Sequence, residues 1–123
     1  MTQVEQTEAT MDPYYEDKPA RGERIFYIRD ASRRPVGVIA YSFPEEGFVR
    51  YASSFLHPND AFDRSLGRRI ALGRLRNDGW SAGEVGYDGS SPLSVVLFAL
   101  SSSLTTPSRV RRVLNEGIRR RGA

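Results

Sequence analysis

From Arg24 onward the chain carries three successive runs in which apolar and polar positions follow a strand-like pattern. Ile25-Phe26-Tyr27-Ile28-Arg29 is rich in β-branched and aromatic residues and passes into Asp30-Ala31-Ser32-Arg33-Arg34-Pro35, a strand entering a turn. Val36 to Ser42 forms a second run and ends at Pro44-Glu45-Glu46-Gly47, which suits a tight reversal; Phe48 to Phe55 forms a third. Short links between the runs favour an antiparallel meander. On the second strand Val36, Val38, Ala40 and Ser42 share one face, and Gly37, Ile39, Tyr41 and Phe43 the other. Neither face is fully polar. Cover on both sides is therefore expected, by the chain's own helices on one and by another copy of the chain on the other.

After His57-Pro58 the period becomes helical. Asn59 or Asp60 can cap the helix and Asn77-Asp78-Gly79 can stop it. Phe62, Leu66, Ile70 and Gly73 fall within an arc of about 80° that should face the sheet. Arg64 and Arg68 form an i,i+4 pair on a different face with Ala71 and Leu75 nearby, Arg69 and Arg76 align on a third, and Arg74 borders the apolar arc beside Gly67. Residues 79–91, with four glycines, read as a flexible loop anchored by Trp80 and Tyr87. In Ser91 to Leu100, Ser91 as cap and Pro92 at the first position argue helix, whereas Val95-Val96-Leu97-Phe98 would suit a buried strand; helix is the reading taken. A last helix starts with Thr106 as cap and Pro107 in its first turn. It repeats Val110, Val113, Leu114, Gly117 and Ile118 through Gly122, and Arg109, Arg111, Arg112 and Arg119 to Arg121 make it strongly basic. The fold class is α+β: a three-stranded antiparallel meander followed by two or three helices packed mainly on one face.

A chain of 123 residues makes one domain, placed at residues 22–123, preceded by a disordered acidic tail over residues 1–21. Residues 1–20 hold Glu5, Glu8, Asp12, Glu16 and Asp17 against Lys18 alone, while the whole chain is at +3 with a pI near 9.6. Within that tail, Met11-Asp12-Pro13-Tyr14-Tyr15 places two aromatics beside acids that can dock on a basic body. The absence of cysteine excludes disulfides, thiolate nucleophiles and Cys-ligated metals, and a single histidine, His57, excludes a His-cluster metal site. No apolar window is long enough to span a membrane, and the N-terminus is acidic, so a soluble, cytoplasmic protein without membrane contact is expected.

Catalytic chemistry finds little support. Glu45-Glu46 and Asp60 with Asp63 read as turn and helix-start acids, no Gly-x-Ser-x-Gly elbow exists, and His57 before proline belongs to a strand-to-helix joint. Gly83 to Gly89 lacks a Walker lysine and contains two acids that would repel phosphate. No enzyme activity, metal or cofactor is expected. Seventeen of the eighteen basic residues are arginine, whose planar fork grips phosphate in bidentate fashion. Arginines on the first and last helices, with Phe48, Tyr51, Phe55, Trp80 and Tyr87 as stacking platforms, suit a polyanionic partner. Nucleic acid would need a continuous basic track, and a nucleotide a pocket with converging arginines and one aromatic platform.

The run FVRYASSFLHPNDAFDRSLGRRIALGRL, Phe48 to Leu75, resembles a pattern in small phage-encoded proteins, in which an aromatic-rich strand leads into a helix with Gly-Arg-x-x-Ala-x-Gly-Arg-Leu. Among these are the anti-Thoeris sponges, which sequester cyclic ADP-ribose-type signals. The resemblance implies a sheet followed by helices, assembled as a homodimer or higher homo-oligomer with ligand pockets near protomer contacts. It also implies that Phe48 and Arg74, with His57 or Asn59, touch the ligand. With the basic surface, the expected ligand-binding set is Phe48, Phe55, His57, Asn59, Arg68, Arg74, Arg109 and Arg112. The function expected is a non-catalytic phage anti-defence protein that holds a cyclic nucleotide or other phosphate-bearing ligand in the host cytoplasm. Two alternatives stand beside it: a small basic nucleic-acid-binding protein, and a protein inhibitor of a host defence complex.

Overall fold

The computed structural model describes residues 18–57, 59–77 and 82–122. Strands β1 (Glu23–Arg29), β2 (Pro35–Ser42), β3 (Phe48–Phe55) and β4 (Gly83–Gly86) form an antiparallel sheet in the order β1-β2-β3-β4. Helix α1 (Arg64–Arg76) lies between β3 and β4 in the chain, and α2 (Pro92–Ser102) and α3 (Ser108–Gly122) follow. The fold is thus α+β, with the expected meander and three helices. Among the described residues no helix is long and apolar enough to cross a membrane.

Local chemistry explains the turns. The Asp30 carboxylate accepts the amides of Ser32 and Arg34, both at 2.9 Å, and closes the β1–β2 link. Between β2 and β3, Glu45 and Phe48 exchange both backbone hydrogen bonds around Glu46 and Gly47, which have φ of 54° and 84°. Two left-handed residues in succession define the two-residue hairpin turn whose twist matches the strands, and glycine accepts that geometry without strain.

The strand alternation sends side chains into two separate cores. Ile39, with Ile28 and Val49, packs against Val96, Leu97 and Leu100 of α2 and Val110 and Leu114 of α3. Val38, Ala40 and Ala52 point the other way, onto Ala71, Leu72 and Leu75 of α1. Helices therefore cover both faces, not mainly one, and the second apolar face of β2 is closed by this chain's own α1 without needing a second copy.

The rotation of α1 differs from the expected one. Ala71, Leu72 and Leu75 are buried, whereas Leu66, assigned to the sheet-facing arc, is 45% exposed. Gly67 supplies the reason. A Cβ there would lie 2.9 Å from Val38 Cγ2, so the helix backbone rests directly on the sheet at this point and turns its Ala71–Leu75 side inward. The cap is Asp63, whose carboxylate accepts the Leu66 amide at 3.0 Å, in place of Asn59 or Asp60. Asn77 ends the helix, its amide reaching the Gly73 carbonyl at 3.1 Å.

Ser91 and Pro92 start α2 as expected, with Ser91 Oγ accepting the Ser94 amide. In α3 the Arg111 amide bonds the Pro107 carbonyl, so the flanking position is Pro107, one residue beyond the buried Thr106. Part of the presumed loop over residues 79–91 is β4, because Val85 pairs with the fully buried Val49 and adds to the core on the α2 side. Trp80 lies outside the described residues; Tyr87 packs on that core and donates its hydroxyl hydrogen to the Ser90 carbonyl at 2.9 Å. Of the acidic tail, residues 1–17 lie outside the described residues. Residues just after them are tied down: Arg76 Nη2 donates to the Lys18 carbonyl, and the Ala20 amide to Glu23 Oε1.

Candidate functional site

The segment joining β3 to α1 is fixed by short-range bonds. The Leu56 amide makes a last ladder bond to the Val36 carbonyl, the Asn59 amide donates to His57 Nδ1 at 3.2 Å, and the Asp60 amide to the His57 carbonyl at 3.0 Å. From the other side of the sheet Arg109 of α3 donates to the Leu56 carbonyl. Held in this way, the segment arches away from α1 and leaves a groove of about 740 Å³. Phe55, His57, Phe62, Leu66 and Ile70 line it with Ser54, Asp60, Asp63 and Arg64, a wall of mixed character in which polar groups, two carboxylates among them, take nearly as much surface as apolar ones. Such a volume lies within the range of small-molecule sites. The same α1 rotation that takes Leu66 and Ile70 off the sheet is what aims them into the groove.

One wall continues onto Tyr27 of β1. Phe62 meets the Tyr27 ring edge-on at 6.2 Å between centroids, and the Arg64 guanidinium stands over that ring at 5.0 Å. Arg68 Nη1 donates to the Tyr27 hydroxyl at 3.1 Å, and the Arg29 guanidinium lies 5.8 Å from the ring centre. Three guanidiniums from two elements thus gather on one phenol. Helix α1 carries five arginines and no acid, and like charges four residues apart, as at Arg64 and Arg68, repel by a few tenths of a kcal/mol. An anion placed between them would relieve that repulsion.

The residues expected from the sequence are only partly assembled. Phe55 and His57 line the groove, with Asn59 exposed beside His57. Arg68 joins the Tyr27 cluster next door. Arg109 reaches the back of the groove only through the Leu56 carbonyl, and Arg112 is exposed on α3. Phe48 stands half-exposed at the opposite end of β3, paired with Gly86, and Arg74 donates to the Ser53 carbonyl at 2.7 Å. Neither Phe48 nor Arg74 is among the groove-lining residues. Tyr27, Arg29 and Phe62 are not among the expected ligand contacts, and Arg64 is expected only as one of the first-helix arginines. The available signal was the i,i+4 spacing of Arg64 and Arg68 on the Ala71–Leu75 side; once that side faces the sheet, both arginines must border β1.

Among the described residues no three or more His, Asp or Glu side chains are grouped to hold a metal ion. Compared with known proteins, the chain matches no family model, no curated protein and no solved structure.

Proposed function

We propose that this protein is a non-catalytic binder of a phosphate-bearing small molecule of nucleotide type. Its flat ring would lie in the groove beside Phe55 and Phe62, and its phosphate would meet Arg64, with Arg29 and Arg68 adjacent. The observation that carries this reading is the continuity of the groove, through Phe62 and Arg64, with the arginines around Tyr27. Each charge-assisted hydrogen bond to phosphate contributes about 1.5–3 kcal/mol where water is excluded, so two forked contacts support micromolar capture without bond chemistry. Several other arginines are engaged on backbone carbonyls, as Arg50 is on Asn77, Arg74 on Ser53 and Arg109 on Leu56, which favours a discrete site over a long track for nucleic acid.

The resemblance over Phe48 to Leu75 puts a cyclic nucleotide immune signal first among ligands, held intact by a phage anti-defence protein in the host cytoplasm. Assembly as a homodimer or larger homo-oligomer belongs to the same proposal. Phe98, 64% exposed, and Leu104, 90% exposed, are the apolar side chains offered for it.

Isothermal titration with cyclic ADP-ribose isomers, cyclic oligonucleotides and single-stranded RNA tests the reading, with native mass measurement for the assembly. Saturable binding of a small cyclic nucleotide, recovered unmodified, is expected, and Arg64→Ala should weaken it about tenfold, the effect of losing one such contact. A cleaved product would overturn the non-catalytic role. Binding confined to RNA, with a steep salt slope, would favour the nucleic-acid alternative instead.

A further inference from the structure

On the face of the sheet away from the groove, a crevice of about 140 Å³ opens between β1 and α3. Phe26 and Ile28 of β1, Leu97 of α2 and Val113, Leu114 and Ile118 of α3 wall it, and among the described residues no acid lines it. Ile28, Leu97 and Leu114 are at most 5% exposed, so the crevice reaches into the core. Gly117 faces it too and brings no side chain, although glycine is a poor helix former in the interior of α3. The one charged wall residue is Arg29. Strict alternation would send it to the α1 side with Tyr27, but the β1–β2 ladder slips between Ile28 and Arg29, and such an irregularity re-aims a side chain. Arg29 therefore stands at the sheet edge, on the crevice and also 5.8 Å from the Tyr27 ring centre. Its side chain is exposed and donates to a neutral acceptor, the Arg33 carbonyl, while the neighbouring Asp30 pairs with Arg34 at 3.3 Å.

We infer that this crevice is a second binding site, for a small monocarboxylate whose apolar body is the size of one benzene ring, the body lying between β1 and α3 and the carboxylate on Arg29. Size sets the body. Apolar cavities of about 150 Å³ take up benzene, and a base with its sugar is too large for such a space. Charge sets the head group. A planar guanidinium with no carboxylate of its own accepts one in bidentate fashion, and the remaining wall residues offer no polar side chain to a hydroxyl or an amide. The site shares only Arg29 with the surroundings of the proposed phosphate and does not rest on that reading.

The test uses the full chain and three probes: benzoate, its neutral counterpart benzamide, and acetate, a carboxylate without the ring. In NMR titrations read at the backbone amides, benzoate should shift Ile28, Leu97, Val113 and Ile118 and leave Ala71, Leu72 and Leu75 in place. Saturation with a Kd of about 0.1–1 mM is expected for a ligand of so few atoms. Benzamide should act on the same residues about tenfold more weakly, the effect of losing one charge-assisted contact, and acetate should not saturate. Arg29→Gln, at an exposed position, should bring benzoate down to the benzamide level and leave benzamide unchanged. Arg64→Ala, in the groove, should change neither, so the crevice and the phosphate site stand or fall separately. Benzoate that does not saturate, benzamide binding equally well, or a preference for benzoate that survives Arg29→Gln would overturn the site. Shifts gathered on Phe55, Phe62 and Ile70, or lost with Arg64→Ala, would move the carboxylate to the groove and overturn it as well.

Discussion

The two faces of the sheet are built differently although the same three strands supply both. Towards α2 and α3 the strands offer Ile28, Ile39 and Val49, and the helices answer with valine and leucine in a buried aliphatic core. Towards α1 they offer Val38, Ala40 and Ala52, and the helix answers with Gly67, Ala71, Leu72 and Leu75 inside a border of arginines. Large aliphatic side chains bury more apolar area per residue, about 1.5–3 kcal/mol each. Small ones bury less, yet they let the helix backbone approach closely and leave its flanks free for charged groups. One face holds the fold together, and the other carries the groove and the guanidiniums.

Leu100→Ala gives the largest expected effect. On the α2 side it removes a side chain only 4% exposed and should cost about 2–5 kcal/mol in urea unfolding. A loss under about 1 kcal/mol would erase the contrast, since that is the scale of a surface change.

Gly67→Ala tests the close approach on the other face. Helix propensity favours alanine by about 1 kcal/mol, but the new Cβ meets Val38 and overpacking costs about 1–3 kcal/mol. A net loss is expected, and it should shrink when measured in a Val38→Ala background. Stabilisation in the native background would mean that α1 lifts from the sheet without penalty.

Glu23 sharpens the comparison through pH. Burial by itself raises its pKa, but the hydrogen bonds from Arg76 and the Ala20 amide, with the charge of Arg76, outweigh burial and lower it. A carboxyl with a depressed folded-state pKa stabilises above its unfolded pKa, and that contribution is lost as pH falls through the folded value. Glu23→Gln should therefore cost about 1 kcal/mol at neutral pH, the scale of a partly exposed charged pair. The difference from the native chain should close as pH drops below the ordinary glutamate range. A gap that persists in acid would assign the effect to packing.

Arg74→Ala is expected to do least, about 0.5 kcal/mol through the lost bond to the Ser53 carbonyl, with ligand affinity unchanged by titration calorimetry. A tenfold weaker ligand would bring Arg74 into the site and extend the functional region along α1.

The meander was legible because Ile25 to Ile28, Val36 to Ser42 and Phe48 to Phe55 carry enough β-branched and aromatic residues, and because Glu46-Gly47 and Asp30 have recognisable turn chemistry. The start of α2 was legible from Ser91-Pro92. Strand β4 was not, since Gly83-Glu84-Val85-Gly86 has one apolar side chain and owes its conformation to pairing with β3. The rotation of α1 was hidden for a related reason. Leu66 and Ile70 outweigh Gly67 and Ala71 on any hydrophobicity scale, but closeness of approach, which favours the smaller pair, decided which side meets the sheet. Phe55 and His57, expected from type and position, do line the groove, and Arg68 stands beside it, whereas the approach of Arg64 to Tyr27 depended on that rotation.

Among the described residues β3 pairs with β4 only as far as Tyr51, and the Ser53 carbonyl beyond it takes the Arg74 guanidinium. An open sheet margin is a template onto which another molecule can lay its own backbone, the first step toward fibrous aggregates. A cation seated on one of the acceptors makes that template a poor one, because an incoming strand must displace a charged group and then lie beside it. The Ser53 acceptor is thus one that an arginine guards, and solubility at high concentration should owe more to this side chain than folding stability does.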